Sequence, residues 1–323
     1  MLSPMVRRRA RRLAVIVPVV AAVVVSGCAN REQAAAPTKT SGAAAQAFPA
    51  EIAAPDGKKI VLDRKPEKIV SLSASSTEAL FAIEAGKQVV AVDDQSNFPV
   101  EAPKTKLSGL TPNVEAIAAY QPDLVIAQAD ANDMVAGLEK LHRQVLILSA
   151  AKSFDDMYAQ FRLLGRATGH VSEAEGLVKR TEQEIAKVVT GVQKPQQALS
   201  YYHELTTELY SSTSKTFIGQ VYTLFGLKNI ADAADTVDSG GYPKLSPEHI
   251  LKSNPDLIFL ADSKCCNQNA DTVKGRPGWG TLKAVQGGHV VLLDDDLASR
   301  WGPRIVELVR AVGEAVAKAG TTG

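Results

Sequence analysis

Glu115-Ala-Ile-Ala-Ala-Tyr-Gln-Pro122-Asp-Leu-Val-Ile126 returns in the second half of the chain as Glu248-His-Ile-Leu-Lys-Ser-Asn-Pro255-Asp-Leu-Ile-Phe259. In each copy a Glu stands seven residues before a Pro-Asp pair, and an apolar run follows. Each copy predicts a short helix, a break at proline and a buried parallel strand. The helices open on capping residues, Asn113 in the first copy and Ser246 in the second, where Pro247 takes the first helical position. Internal self-similarity of this kind points to duplicated structural units.

The flanks repeat as well. Lys68-Ile-Val-Ser-Leu72 predicts a strand running into a helix from Ser76 that stops at Gly86. Ala198-Leu-Ser-Tyr-Tyr202 predicts a strand followed, after a loop, by a helix from Phe217 that stops at Gly226. Gln144 to Leu148 and His289 to Leu293 are the closing strands. Strand–helix alternation gives parallel sheets covered on both faces. Between the copies, Val171 to Val192 carries apolar residues at three- and four-residue spacing (Ala174, Leu177, Val178, Ile185, Val188, Val189). It reads as one amphipathic helix of about 30 Å at ~1.5 Å per residue. The expected fold is α/β: two Rossmann-like lobes with parallel sheets, residues 50–165 and 194–323, joined by a single long α-helix within 166–193. A cleft lies between the lobes, with restricted hinge motion.

The 323 residues suit this division, being enough for two cores. The net charge is +1, and nothing global would attract a polyanion, so nucleic acid is not an expected partner. The charge is unevenly placed. Arg7, Arg8, Arg9, Arg11 and Arg12 precede the apolar run Leu13 to Val25, and removing those five leaves −4 for the rest. A basic start, a short apolar core and small residues make an export signal over residues 1–27. Thirteen residues are fewer than the ~20 that a spanning helix needs. Val25-Ser26-Gly27-Cys28 resembles a bacterial lipobox, which implies acylation of Cys28 and a membrane anchor outside the cytoplasmic membrane. Arg11-Arg12 leaves twin-arginine export open beside the general route. Residues 28–49 read as a flexible tether, and Ile52 to Leu62, broken by Pro55-Asp56-Gly57, as a small hairpin.

Taken together, the lipobox, the Lys68-Ile-Val-Ser-Leu-Ser start, Ser76-Thr77-Glu78, the doubled Glu…Pro-Asp-Leu units and the single linking helix resemble class III periplasmic-type binding proteins. These are the substrate-binding lipoproteins of ABC importers for ferric siderophores, haem and vitamin B12. The resemblance covers residues 50 to about 318. It implies a monomeric binding protein, with no catalysis and no cofactor of its own, that hands a metal chelate to a dimeric permease. It also implies that Glu115 and Glu248, one on each lobe's rim, dock onto permease arginines. A Glu in a first helical turn also complements the helix dipole, by ~0.3–1 kcal/mol.

Ligands of open α/β sheets bind beyond the carboxyl ends of the strands. Those ends supply the candidate contacts: Phe98 and Gln128 in the first lobe, and Tyr202, Tyr210, Tyr242, Arg300 and Trp301 in the second. A guanidinium can bind an anionic chelate and aromatic faces can pack on its organic arms. A ferric siderophore is therefore the expected ligand, with vitamin B12 or haem as alternatives; a sensor lipoprotein on the same fold is the non-transport alternative. Arg304, at a helix start, is assigned to structure. Asp294-Asp295-Asp296 is placed on the rim. Cys265-Cys266, exported, is either a vicinal disulfide, two thiols or a ligand contact. The five histidines form no metal-binding spacing, so no metal site is expected, and only His203, beside Tyr202, keeps haem ligation open. Neither a G-x-G-x-x-G after the first strand nor a P-loop is present.

Overall fold

The computed structural model describes residues 48–193 and 195–320. Residues 1–47, with the leader, Cys28 and nearly all of the tether, lie outside the described residues. Among those described, no helix is long and apolar enough to cross a membrane.

The chain opens with an antiparallel hairpin, β1 (Ala50–Ala53) and β2 (Lys59–Leu62), whose residues alternate between buried and exposed. Five parallel strands follow: β3 (Ile69–Leu72), β4 (Val89–Asp93), β5 (Lys104–Leu107), β6 (Leu124–Ala127) and β7 (Gln144–Ile147), in the order β5-β4-β3-β6-β7. The second lobe holds β8 (Ser200–Glu204), β9 (Lys228–Asn229), β10 (Leu257–Leu260) and β11 (Val290–Leu292), also parallel, in the order β11-β10-β8-β9. Superposing β3 on β8 and β6 on β10 makes the two orders the same, with β5 lacking a counterpart. Strands β3, β6 and β10 are buried at every position, as expected where helices cover both faces.

The recurring Pro-Asp has a structural cause. The Asp123 carboxylate accepts from the backbone N–H groups of Glu67 and Lys68, where β3 begins, while its own N–H donates to the Lys68 carbonyl. Asp256 does the same for β8: it accepts from the Ser200 N–H and hydroxyl, and its N–H donates to the Ser200 carbonyl. Each aspartate thus ties the start of one central strand to its neighbour. Gln121 and Asn254, just before the prolines, are left-handed with φ of 51° and 45°, which ends the preceding helix.

Those helices are Val114–Ala118, capped by the Asn113 side chain, and Pro247–Ser253, capped by Ser246. Two other boundaries move. The helix after β3 is Ala74–Ala82, capped by Ser73 rather than starting at Ser76, and it ends before Glu84 at φ 65° instead of reaching Gly86. The helix after β8 is Phe217–Thr223, one turn short of Gly226.

The amphipathic segment forms the helix Val171–Gly191, buried through Ala174, Leu177, Val178, Thr181 and Ile185. It does not stand alone between the lobes. Residues 166–168 belong to the preceding helix Phe154–Thr168, which Gly169 stops in the left-handed region at φ 75°. Both that helix and the C-terminal helix Ile305–Gly320 pack on it. One hydrophobic cluster runs from Leu80, Phe161 and Leu164 through Val178 to Tyr222, Val309 and Val312, so the two lobes share a core across this helical layer. Burying such side chains contributes about 1.5–3 kcal/mol each, which makes sliding one lobe on the other costly.

Candidate functional site

A cavity of about 330 Å³ opens where β3, β4 and β6 end, facing the second lobe's 296–301 segment. Its first-lobe wall includes Ser73, Ser75, Asp93 and Gln128, and its second-lobe wall Asp296, Arg300 and Trp301. Of the sequence-predicted contacts, Gln128, Arg300 and Trp301 are thus brought together. Trp301 is fixed from both ends: its backbone N–H donates to Ser75 Oγ at 3.3 Å and its indole N–H to Gln160 Oε1 at 3.1 Å.

Arg300 is not a free cation. It makes four hydrogen bonds, to Glu78 Oε1 at 3.0 Å, Asn97 Oδ1 at 2.9 Å, the Gln95 carbonyl at 2.9 Å and Asp296 Oδ1 at 2.7 Å. Its side chain is 9% exposed and that of Glu78 is 2%. Arg304 closes on the same carboxylate, donating from Nη2 to Oε1 at 2.6 Å and from Nε to Oε2 at 3.1 Å. Burial lowers the Arg304 pKa, but the Glu78 bonds outweigh it and the net direction is upward. Gly302 permits this approach, because a Cβ there would lie 2.8 Å from Glu78 Oε2. Two second-lobe arginines therefore clamp one first-lobe glutamate. Asn97 Nδ2 adds a bond to Asp296 Oδ2 at 3.0 Å across the same seam.

Sequence reading includes Glu78 in the strand-end segment 73–78 without singling it out as a site residue. Its signal was there: it is the lone charge between Lys68 and Glu84. Asp93 opens the strand-end segment 93–98 and is likewise not singled out by the sequence. It ends β4 almost wholly buried, and burial raises its pKa, partly offset by the Ser96 hydroxyl. Asp296 corrects the placement of the acidic run, since only part of that run lies on the rim. Asp294 caps the helix Asp295–Ser299, Asp295 accepts from the backbone N–H groups of Lys264 and Cys265, and Asp296 faces the cavity.

The aromatic candidates disperse. Tyr202 is a correction: it is 0% exposed, packed edge-on against Trp279 at 6.0 Å inside the second lobe, and does not reach the cleft. Both faces of its sheet are covered, so Tyr201 and Tyr202 are both interior. His203 is buried too, its Nδ1 2.6 Å from the Tyr222 hydroxyl, and burial lowers its pKa to about 3. Haem ligation by His203 is therefore ruled out by position. Tyr242 lines a second cavity of about 420 Å³ with Ala150 to Lys152 from the first lobe and Lys215 and Asp235 from the second. Tyr210 is exposed on a loop bridged to Lys244, whose ammonium lies 5.5 Å from its ring. Phe98 is exposed at one edge, with the Arg304 guanidinium 4.2 Å from its ring.

Cys265 and Cys266 are joined as a vicinal disulfide. The preceding Asp262 is buried with neither carboxylate oxygen hydrogen-bonded among the described residues. Burial and the neighbouring Glu204 carboxylate raise its pKa to about 7. Glu204 itself is held in two bonds by Arg276, each 2.6 Å. No group of three or more His, Cys, Asp or Glu among the described residues is arranged to hold a metal ion.

Glu115 and Glu248 occupy the same place in their lobes, the first turn of a capped helix ahead of the Pro-Asp break. Both are exposed, and neither carboxylate has a partner among the described residues.

Comparison with known proteins agrees with this architecture. A Bacillus subtilis protein described as an uncharacterized ABC transporter substrate-binding lipoprotein, YvrC, is 30% identical over 312 residues, covering 92% of this chain and 94% of its own. A vitamin B12-binding protein of Pectobacterium carotovorum is 29% identical over 247 residues, covering 75% and 85%. Among solved structures, a possible iron-binding (periplasmic solute-binding) protein from Staphylococcus epidermidis is 26% identical. It superposes with a TM-score of 0.69 over 78% of this chain and 99% of its own. The periplasmic binding protein family matches residues 69–297. With two parallel-sheet lobes, a cleft at their strand ends and a match across most of its length, this chain belongs to the periplasmic binding protein family, the substrate-binding components of ABC importers.

Proposed function

We propose that this protein captures a corrinoid of the vitamin B12 type outside the cytoplasmic membrane and delivers it to an ABC importer. Cys28 carries the lipid anchor, and Glu115 and Glu248 dock on the permease. The observation that carries the ligand assignment is the engagement of Arg300, four of whose five N–H donors are already used within the protein. With Glu78 and Asp296 already on its guanidinium, the cavity charge at Asp93, Asp296 and Arg300 is net negative. This argues against an anionic ferric siderophore. Beside those charges the lining is serine, glutamine, an indole and the apolar Leu72 and Leu110, which suits an uncharged ligand with both amides and apolar surface. The vitamin B12-binding relative supports the same choice. A neutral ferric hydroxamate is the second reading, favoured by the iron-binding structural relative.

A cavity of about 330 Å³ is at the small end of the ~300–1,000 Å³ usual for ligand sites. A corrinoid therefore enters by parting Asn97 from Asp296 and Gln95 from Arg300. Calorimetric titration of residues 48–323 with cyanocobalamin, a ferric trihydroxamate and a ferric tricatecholate tests the assignment. Cyanocobalamin is expected to bind most tightly. Preference for the anionic catecholate would refute the reading.

A further inference from the structure

The floor of the cavity holds a carboxylate that no other part of the structure uses fully. Asp93 is 5% exposed and lines the cavity from the end of β4. Its Oδ1 accepts from Ser96 Oγ at 2.5 Å. Ser96 Oγ lies 2.8 Å from Thr77 Oγ1, which is 2.8 Å from Ser71 Oγ, and all three hydroxyls are buried. This chain of hydroxyls fixes the carboxyl plane from behind. No side chain among the described residues donates to Oδ2, the Ser96 backbone N–H adds a hydrogen bond to the carboxyl, and Gly109 lies against Oδ2, where a Cβ would come within 2.9 Å. A Cβ at residue 109 would also lie 2.5 Å from the Leu72 carbonyl oxygen, so glycine is required there and Oδ2 stays uncovered as a result. A buried acceptor held rigidly on one oxygen and open on the other is costly to leave unmet when the cavity closes on a ligand.

From this geometry we propose that Asp93 is the specificity-determining contact of the cleft: Oδ2 accepts a hydrogen bond from a ligand N–H, such as a primary carboxamide, and repels anionic chelates. The inference rests on the reading of this cleft as the ligand site and names the chemistry it selects. Asp296, on the opposite wall, is paired with Arg300 and Lys264, and Arg300 is shared with Glu78, so the repulsion comes from Asp93. Selection is thus by charge sign and by the presence of a donor, which a cavity walled by serines and glutamine alone would not provide.

The test compares wild type with Asp93→Asn and Ser96→Ala, using quenching of tryptophan fluorescence by cyanocobalamin, a neutral ferric trihydroxamate and an anionic ferric tricatecholate. Thermal melting checks that each variant is folded. Asp93→Asn is expected to weaken the preferred neutral ligand and strengthen the tricatecholate, compressing their affinity ratio by about tenfold or more, as for a hydrogen bond to a charged group. Ser96→Ala, which frees the carboxyl to rotate, shifts the ratio the same way by a smaller factor. If wild type prefers cyanocobalamin and neither variant changes the ratio, the role of Asp93 is refuted and the corrinoid assignment stands. If wild type prefers the trihydroxamate and Asp93→Asn still compresses the ratio, the corrinoid assignment falls and Asp93 keeps its role. Binding of none of the three probes overturns both.

Discussion

Replacing Glu78 with alanine removes the carboxylate on which Arg300 and Arg304 converge, and the structure allows the cost to be worked out. Arg300 keeps Asp296 at 2.7 Å, so it is not orphaned. Among the described residues Arg304 donates hydrogen bonds to Glu78 alone, and without it keeps the Phe98 ring, 4.2 Å away, and the more distant charges of Glu307 and Asp294. Breaking a buried pair by removing one partner costs about 3–5 kcal/mol, mostly because the survivor stays buried and uncompensated. One arginine rather than two is stranded, and its side chain is 18% exposed, which places the expected loss near the lower end, about 3 kcal/mol. Against a total stability of about 5–15 kcal/mol this is a large fraction. Glu78→Gln keeps an acceptor and should lose less, about 1–3 kcal/mol. The double variant Glu78→Ala/Arg304→Met removes the stranded charge, so it should be more stable than the sum of the single losses implies, by about 0.5–3 kcal/mol. Equilibrium urea unfolding of wild type, Glu78→Ala, Glu78→Gln, Arg304→Met and the double variant measures these losses, and the effect should persist in high salt because buried pairs are poorly screened. A loss below about 1 kcal/mol for Glu78→Ala, or strict additivity in the double variant, would refute the clamp as a stabilising contact between lobes.

Three further outcomes are expected. Glu115→Ala and Glu248→Ala should leave ligand affinity unchanged while each weakens permease docking by about 2–5 kcal/mol if the partner arginine becomes buried and unpaired; normal uptake by the double variant, with expression verified, would end the docking proposal. Cys28→Ala should abolish fatty-acid labelling and release folded protein, since acyl chains supply the proposed anchor; labelling that survives would place the lipid elsewhere. Asp262 has a folded-state pKa raised to about 7, so its neutral form is the one the fold favours. Its contribution is present at acid pH and is lost as pH rises from the ordinary carboxylate range through about 7. Asp262→Asn should flatten that decline, because a carboxamide cannot ionise; an unchanged pH profile of the melting temperature would show that Asp262 is not the titrating group.

The sequence alone determined the duplicated α/β plan, because its signals are local. The caps Asn113 and Ser246, the Pro-Asp breaks and the three- and four-residue spacing of 171–192 each report a hydrogen bond or a helix face within one segment. Even the repeated aspartate, legible as a motif, took its physical meaning only from the fold, as the tie between the starts of adjacent strands. The fate of individual side chains was decided by tertiary structure. Tyr201 and Tyr202 are adjacent, and in a half-exposed strand one would face out; in a sheet covered on both faces both are interior, and nothing local tells the two cases apart. Arg300 reads as a free cation next to an indole, yet its charge is taken by Glu78, 222 residues earlier in the chain. Electrostatic character depends on the partner that folding delivers, and with Glu78 and Asp296 in place the same arginine changes from an anion receptor into part of the seam between the lobes.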